Sequence, residues 1–186
     1  MEEKLEKTLC KIAVVGPEST GKSIMASRLA QDFGTWYIPE YSRYYCEGLN
    51  NQYTLQDEVN IFHGQIALEN AIIEVLPHTL VFCDTTILTV KIWSDYLFNY
   101  TPDNVLKEIR KRTYDLYLLM DIDLPWVDDP LRDFPGKREY FLDVWKKELE
   151  DLGARYELVR GIGENRFQNA QKIVSGFLNQ NRIQLR

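Results

Sequence analysis

Gly16-Pro17-Glu18-Ser19-Thr20-Gly21-Lys22-Ser23 fits the phosphate-binding pattern G-x-x-x-x-G-K-[ST], and its flanks narrow the folds open to the chain. Upstream runs Ile12-Ala13-Val14-Val15, a short apolar, β-branched run suited to a strand buried on both faces of a parallel sheet. Downstream, Ala26, Leu29, Ala30 and Phe33 recur at the i, i+3, i+4, i+7 spacing of a helix packing one face on a sheet. In that order, backbone N–H groups and a helix N-terminus converge on an anion. The loop backbone (Gly16, Glu18, Ser19, Thr20, Gly21) would wrap a polyphosphate and Lys22 would reach its β/γ-phosphates, while the Ser23 hydroxyl would ligate Mg²⁺.

The rest of the chain alternates strand and helix signals. Strands are expected at Thr35–Ile38, ended by Pro39, and at Leu80–Asp84, Tyr114–Met120 and Tyr156–Val159. A polar loop is expected from Cys46 to Tyr53, including Gly48, Asn50 and Asn51. Thr54 with Asp57 should cap a long helix to about Leu76, with Val59, Phe62, Ile66 and Ile73 on one face. Thr85 to Tyr100 reads as partly helical. Thr101 reads as an N-cap with Pro102 at the first helical position of a helix to about Arg112. Helices are also predicted over Arg138–Leu152 and Glu164–Asn179. Between the fourth strand and the first of these helices, Leu124 to Lys137 is proline-broken and acidic, the composition of a functional loop. The pattern predicts one α/β domain over residues 1–186, a three-layer P-loop NTPase/kinase fold. Its central parallel sheet should have about five strands with helices on both faces, and residues 124–138 should form a lid-like segment.

At 45% hydrophobic and 27% charged residues the chain is composed like a globular protein with one core. A formal net charge of −6 disfavours non-specific binding to nucleic acid or to an anionic membrane surface, and neither partner is expected. Cys10, Cys46 and Cys83 lack metal-ligand spacing and read as free thiols of a reducing compartment. The N-terminus carries both charge signs and is not expected to be a signal peptide, and no apolar run reaches the ~18 residues of a membrane span. A cytoplasmic location is expected. No pattern bears on oligomeric state.

A phosphate loop specifies the donor; the acceptor depends on groups at the carboxyl edge of the sheet. Asp84 ends an apolar strand, the usual place for the carboxylate that holds Mg²⁺, against the alternative of an Asp capping the next turn. Glu40, just past the second strand, either takes a proton from an acceptor hydroxyl or pairs with Arg43. Arg132, Lys137 and Arg138 either bring cations onto a transferring phosphoryl group as a lid closes or, for Arg132, pair with Asp128 or Asp129. Trp36, Tyr41, Trp93, Tyr96 and Trp126 flank the edge, where a flat or cationic ring would stack; of these Trp126 sits in the acidic loop, away from core positions. His63 and His78 show no partner pattern.

Taken together, the glycine loop, Pro39-Glu40-Tyr41-Ser42-Arg43, Asp84-Thr85, and Asp123-Leu124-Pro125-Trp126-Val127-Asp128-Asp129 with Arg132 resemble the ribosylnicotinamide kinase domain of the NadR family. The resemblance runs in order from about residue 11 to the last helix. It implies ATP with Mg²⁺ as donor and the ribose 5′-hydroxyl of nicotinamide riboside as acceptor. It further implies catalytic roles for Lys22, Glu40, Asp84 and Arg132, metal contacts from Ser23 and Asp84, and an ATP contact from Arg138. Acceptor contacts would come from Glu40, Tyr41, Arg43, Asp84, Trp126 and Asp129. Analogy with deoxynucleoside kinases adds Gln65. Such proteins usually also carry a nucleotidyltransferase domain, and some a helix-turn-helix. Neither is predicted here, so no repressor or adenylyltransferase role is expected of this chain by itself. Asp129 departs from the family pattern, which has a small turn residue there. Alternatives are another nucleoside or nucleoside-monophosphate kinase, or an ATPase switch or interaction module. Near Glu40 the basic residue is mainly Arg43, which favours an uncharged hydroxyl acceptor, and Gly161 to Arg166 is where an adenine-contacting loop would lie.

Overall fold

A computed structural model describes residues 9–49 and 52–185. The charged N-terminus over residues 1–7, and Asn50 and Asn51 of the expected polar loop, lie outside the described residues. Strands β1 (Cys10–Val15), β2 (Trp36–Ile38), β3 (Leu80–Asp84), β4 (Leu116–Met120) and β5 (Tyr156–Val159) pair in parallel in the order β2-β3-β1-β4-β5. Ala13 lies opposite Cys83 on one side and Tyr117 on the other, so β1 is central. Successive side chains point to opposite faces. Ile12 and Val14, with Phe82 and Leu118, enter one core; Ala13 and Val15, with Val81 and Leu119, enter the other. A strand with no wet face must be apolar throughout, which is why its sequence shows no alternation.

Helices α1 (Lys22–Asp32) and α7 (Gly163–Gln180) cover the first face with Ala26, Leu29, Ala170 and Val174. The second face is covered by α3 (Leu55–Val75), α4 (Leu88–Phe98), α5 (Asp103–Lys111) and α6 (Arg138–Asp151), through residues such as Phe62, Ile92, Val105 and Trp145. This is the expected three-layer α/β architecture around a parallel sheet.

Four local expectations change. A short helix, α2 (Tyr41–Cys46), follows Pro39 directly, too short to leave a periodic signal. Pro102 occupies the N-cap position of α5, and the Thr101 hydroxyl instead donates to Asp95 Oδ1 at 2.7 Å. The fourth strand begins at Leu116, because the Tyr114 ring is spent on the helical layer, where its hydroxyl donates to Glu69 at 2.8 Å. Lastly, α3 has the expected reciprocal Thr54–Asp57 capping box, but its buried stripe is Glu58, Ile61, Phe62, Gln65 and Glu69, with Val59, Ile66 and Ile73 only half-buried. Apolar periodicity misses a face that buries polar side chains. Glu69 explains part of it: at 1% exposure it meets Lys11 at 3.3 Å, Arg112 at 3.2 Å and the Tyr114 hydroxyl, so its charge is compensated. Removing one partner of such a group costs about 3–5 kcal/mol. The three cysteines are free and buried. Among the described residues no helix is long and apolar enough to cross a membrane.

Candidate active site

The loop between β1 and α1 owes its path to three backbone positions. Gly16 has φ 136°, and a Cβ there would stand 2.9 Å from the Met120 carbonyl oxygen, so a side chain would force the loop off β4. Ser19 (φ 56°) and Gly21 (φ 78°) are left-handed, which turns successive N–H groups inward at the start of α1. Lys22 Nζ donates to the Pro17 carbonyl at 2.9 Å, and the Thr20 hydroxyl to the same oxygen at 2.7 Å. Under the loop lies Arg166, 3% exposed, donating to the carbonyls of Thr20, Asp121 and Gly161 and to the Asp123 carboxylate.

Two carboxylates stand at the carboxyl edge facing this loop. Asp84, the last residue of β3, is 2% exposed. Burial first, and then the neighbouring Glu40, push its carboxyl up to about 6, against the Ser23 hydroxyl bond and the charges of Lys22 and Arg43. Its Oδ1 has no hydrogen-bond partner among the described residues. A serine hydroxyl beside a carboxylate with a spare oxygen is the donor set that Mg²⁺ takes from a protein when phosphates and water complete its shell. The residues present therefore fit the ion. Thr85, held at φ 67°, turns the chain away immediately after Asp84.

Glu40 occupies the N-cap position of α2 with no capping bond from its side chain. Its backbone neighbourhood is held by Gln65, which accepts from the Tyr41 N–H and donates to the Pro39 carbonyl. Arg43 pairs with Asp129 at 2.6 Å, so the alternative Glu40–Arg43 pair gives way to a link between α2 and the irregular segment.

That segment is docked over the phosphate loop. The Ser19 hydroxyl accepts from the Val127 N–H at 2.8 Å and from Arg132 Nη1 at 3.3 Å, and Arg132 also donates to the Val127 carbonyl. Arg132 approaches Asp129 at 3.7 Å. The Glu18 carboxyl accepts from the backbone N–H groups of Asp133 and Phe134, yet burial dominates and pushes it up to about 7. Trp126 turns elsewhere: its indole N–H donates to Asp128 at 2.8 Å, and the Arg138 guanidinium lies over the ring at 5.9 Å while donating to the Leu124 carbonyl.

Between loop, sheet edge and α3 is a cavity of about 380 Å³. The loop from Gly16 to Ser23, Glu40, Arg43, Gln65 and Arg132 line it. Tyr41, Asp129, Trp126 and Arg138 are outside the lining described, as is Asp84, which is buried. Sequence reading missed Glu58, Tyr53 and Thr89 in the wall; it named Trp93 only as flanking. The signal for Glu58 and Gln65 was available as polar residues sharing a helical stripe with Phe62. A polyphosphate cradle, a metal-type acid and a second acid around one nucleoside-sized space can serve phosphoryl transfer to a hydroxyl.

The resemblance read in the sequence recurs in comparisons with known proteins. The chain is 27% identical over 166 residues to the trifunctional NAD biosynthesis/regulator protein NadR of Escherichia coli (strain K12), an overlap of 84% of this chain and 36% of that protein. The chain thus spans about a third of the length of that relative. A crystal structure of NadR protein in complex with NR superposes with a TM-score of 0.74 at 20% identity, over 92% of this chain and 50% of that one. Deoxyadenosine kinase from M. mycoides, with products bound, gives 0.61 at 12% identity over 89% of this chain and 99% of its own. These two likenesses share the fold. A family model described as AAA domain (AAA_28) matches residues 11–166, from β1 through the phosphate loop to the arginine beneath it, and the chain belongs to that family of P-loop domains.

Proposed function

We propose that this chain is a small-molecule kinase that moves the γ-phosphoryl group of ATP to the ribose 5′-hydroxyl of nicotinamide riboside, giving nicotinamide mononucleotide. The observation that carries the reading is Glu40, fixed at the mouth of α2 on the cavity that the phosphate loop closes from the other side. There its carboxylate accepts the proton of the attacking hydroxyl. Lys22 leaves the Pro17 carbonyl for the β/γ-phosphates, and the loop amides of Gly16 to Gly21 hold the triphosphate in line. Ser23 with Asp84 would hold Mg²⁺, which would supply charge neutralisation on the phosphates. Arg132, already at the loop through Ser19, stabilises the equatorial oxygens, with residues 124–138 serving as lid. Arg138 and Trp126 on that lid, and Tyr41, Arg43, Gln65 and Asp129 around α2, shape the donor and acceptor sites, most of them through the contacts they make with one another.

The cations that line the cavity are all bonded within the chain: Lys22 to Pro17, Arg43 to Asp129, Arg132 to Ser19 and Val127. That supports an acceptor without a phosphate of its own. NadR relatives that bind NR support the riboside.

The test is ADP release from ATP with a panel of nucleosides. Nicotinamide riboside should stimulate turnover. Stimulation by cytidine, uridine or thymidine alone would overturn the acceptor assignment, and no stimulation by any acceptor would overturn the kinase reading. Glu40→Gln should lower kcat by about 10²–10⁴-fold with ATP binding kept; near-normal turnover would remove Glu40 from proton transfer.

A further inference from the structure

On α3 two equally buried carboxylates have opposite surroundings. Glu69 is satisfied by Lys11, Arg112 and Tyr114. Three turns earlier Glu58, 6% exposed, lines the cavity, and among the described residues it has no cation or hydrogen-bond donor on its carboxyl. A buried carboxylate without a partner is costly, so such a group stays protonated or is paired by what enters the cavity. We propose that Glu58 is a specificity-determining residue that selects an acceptor with a positively charged, delocalised ring; the inference rests on the kinase reading above and names the acceptor class.

Three observations converge. Glu40 and Glu58 both line the cavity, whereas its cations are already committed within the chain, Lys22 to Pro17, Arg132 to Ser19 and Arg43 to Asp129. The Cys46 thiol lies in the same wall, and burial first, and then Glu58, Glu40 and Asp57, push it up to about 11. Tyr53 and Trp93 add aromatic surface to the lining, and π faces attract a flat cation. An N-alkylated pyridinium ring fits this wall. A neutral pyrimidine gains nothing from an ionised Glu58 and pays for its desolvation.

The test compares nicotinamide riboside with its reduced dihydropyridine counterpart, which has nearly the same size and no ring charge. Both are assayed by turnover and, independently of chemistry, by calorimetric binding to wild type, Glu58→Gln and Glu58→Asp. Wild type should favour the cation by about tenfold or more. Glu58→Gln, isosteric and neutral, should erase that preference through KM and Kd for the cation, leaving kcat, KM for ATP and the neutral riboside within about twofold. Glu58→Asp should recover part of it. Equal losses for both ribosides in Glu58→Gln, or no change for either, would overturn the inference, as would a wild type that binds the two equally. Charge-selective binding without turnover would sustain Glu58 and overturn the kinase reading. Failure to bind either riboside would overturn both.

Discussion

Gln65 accepts a hydrogen bond from the Tyr41 N–H at 2.8 Å and donates one to the Pro39 carbonyl at 3.3 Å, so a single side-chain amide grips the main chain on both sides of Glu40. Gln65 is 3% exposed and sits on a long, capped helix, so the grip is rigid. Its contribution is to position Glu40.

Gln65→Ala should therefore release the Pro39–Tyr41 segment without touching the phosphate loop. A misplacement of the order of an ångström costs about 10²-fold in rate. The expected result is a kcat lowered about 10–100-fold with KM for ATP unchanged. Steady-state kinetics with each substrate varied in turn checks this; a raised KM for ATP would mean that the phosphate loop is disturbed as well, and that Gln65 does not act on Glu40 alone.

The neighbouring position has a different task. A Cβ on Gly64 would lie 2.0 Å from the Tyr41 ring, so α2 packs on α3 only because residue 64 has no side chain. Gly64→Ala should force α2 outward at a cost of about 1–3 kcal/mol, or a Tm lowered by about 2–10 °C, with kcat falling as for Gln65→Ala. Adding Tyr41→Ser, which vacates the space, should restore most of the Tm. Differential scanning calorimetry on the single and double variants reads the recovery.

Legibility in the sequence followed how local each requirement is. The phosphate loop was fully readable, because the left-handed turns, the helix start and the lysine are all set within eight consecutive residues. Alternating strands and helices gave the layers, and Asp84 and Glu40 could be named because strand ends are local too. The roles of Glu58, Gln65 and Glu69 were harder to read although their stripe is visible in the sequence: what compensates or uses those side chains comes from β1, the residue capping α5, Pro39 and the cavity, all remote in sequence. Trp126 shows a further limit. An aromatic in an acidic loop suggested a stacking surface for the acceptor, yet in the docked segment its indole is occupied by Asp128 and Arg138.

Burial, with a smaller push from Asp57, raises the Glu58 carboxyl from 4.5 to about 7. Asp57 on its own helix is the charged group that acts on it, and Cys46 on α2, on which Glu40 also acts, is its titratable neighbour; Tyr53 shares the cavity wall with it. Because the folded state binds the proton more tightly than the unfolded one, this group's stabilisation is complete below about pH 4.5 and is lost as pH rises through about 7. The bound is about 3 kcal/mol. Glu18, raised in the same direction to about 7, adds to the slope. Urea unfolding at pH 5 and pH 8 should show wild type losing stability across that interval and Glu58→Gln losing less. Equal slopes for the two proteins would mean that Glu58 is ionised and solvated in the free protein.

Arg166 joins three segments that meet behind the site. Its guanidinium donates to Thr20 at 3.2 Å, to Asp121 at 2.7 Å and to Gly161 at 3.1 Å, and it pairs with Asp123. These are the end of the phosphate loop, the exit of β4 and the turn before α7, the last being where an adenine-contacting loop was expected. Arg166→Met keeps much of the volume and removes every donor. Each buried carbonyl left unsatisfied costs about 1–3 kcal/mol, partly recovered by water, so a total of about 3–5 kcal/mol and a Tm lowered by about 10 °C are expected. A merely stabilising arginine would leave the kinetics of the surviving folded enzyme alone. Because Arg166 fixes the carbonyl of Thr20 and the Gly161 turn together, KM for ATP should instead rise about tenfold below the melting range, with KM for the acceptor unchanged. Arg166→Lys reaches only some of the four acceptors and should lie between. If all three proteins share one KM for ATP, the two sides of the donor site are set independently, by the phosphate-loop backbone and by the β5–α7 turn alone.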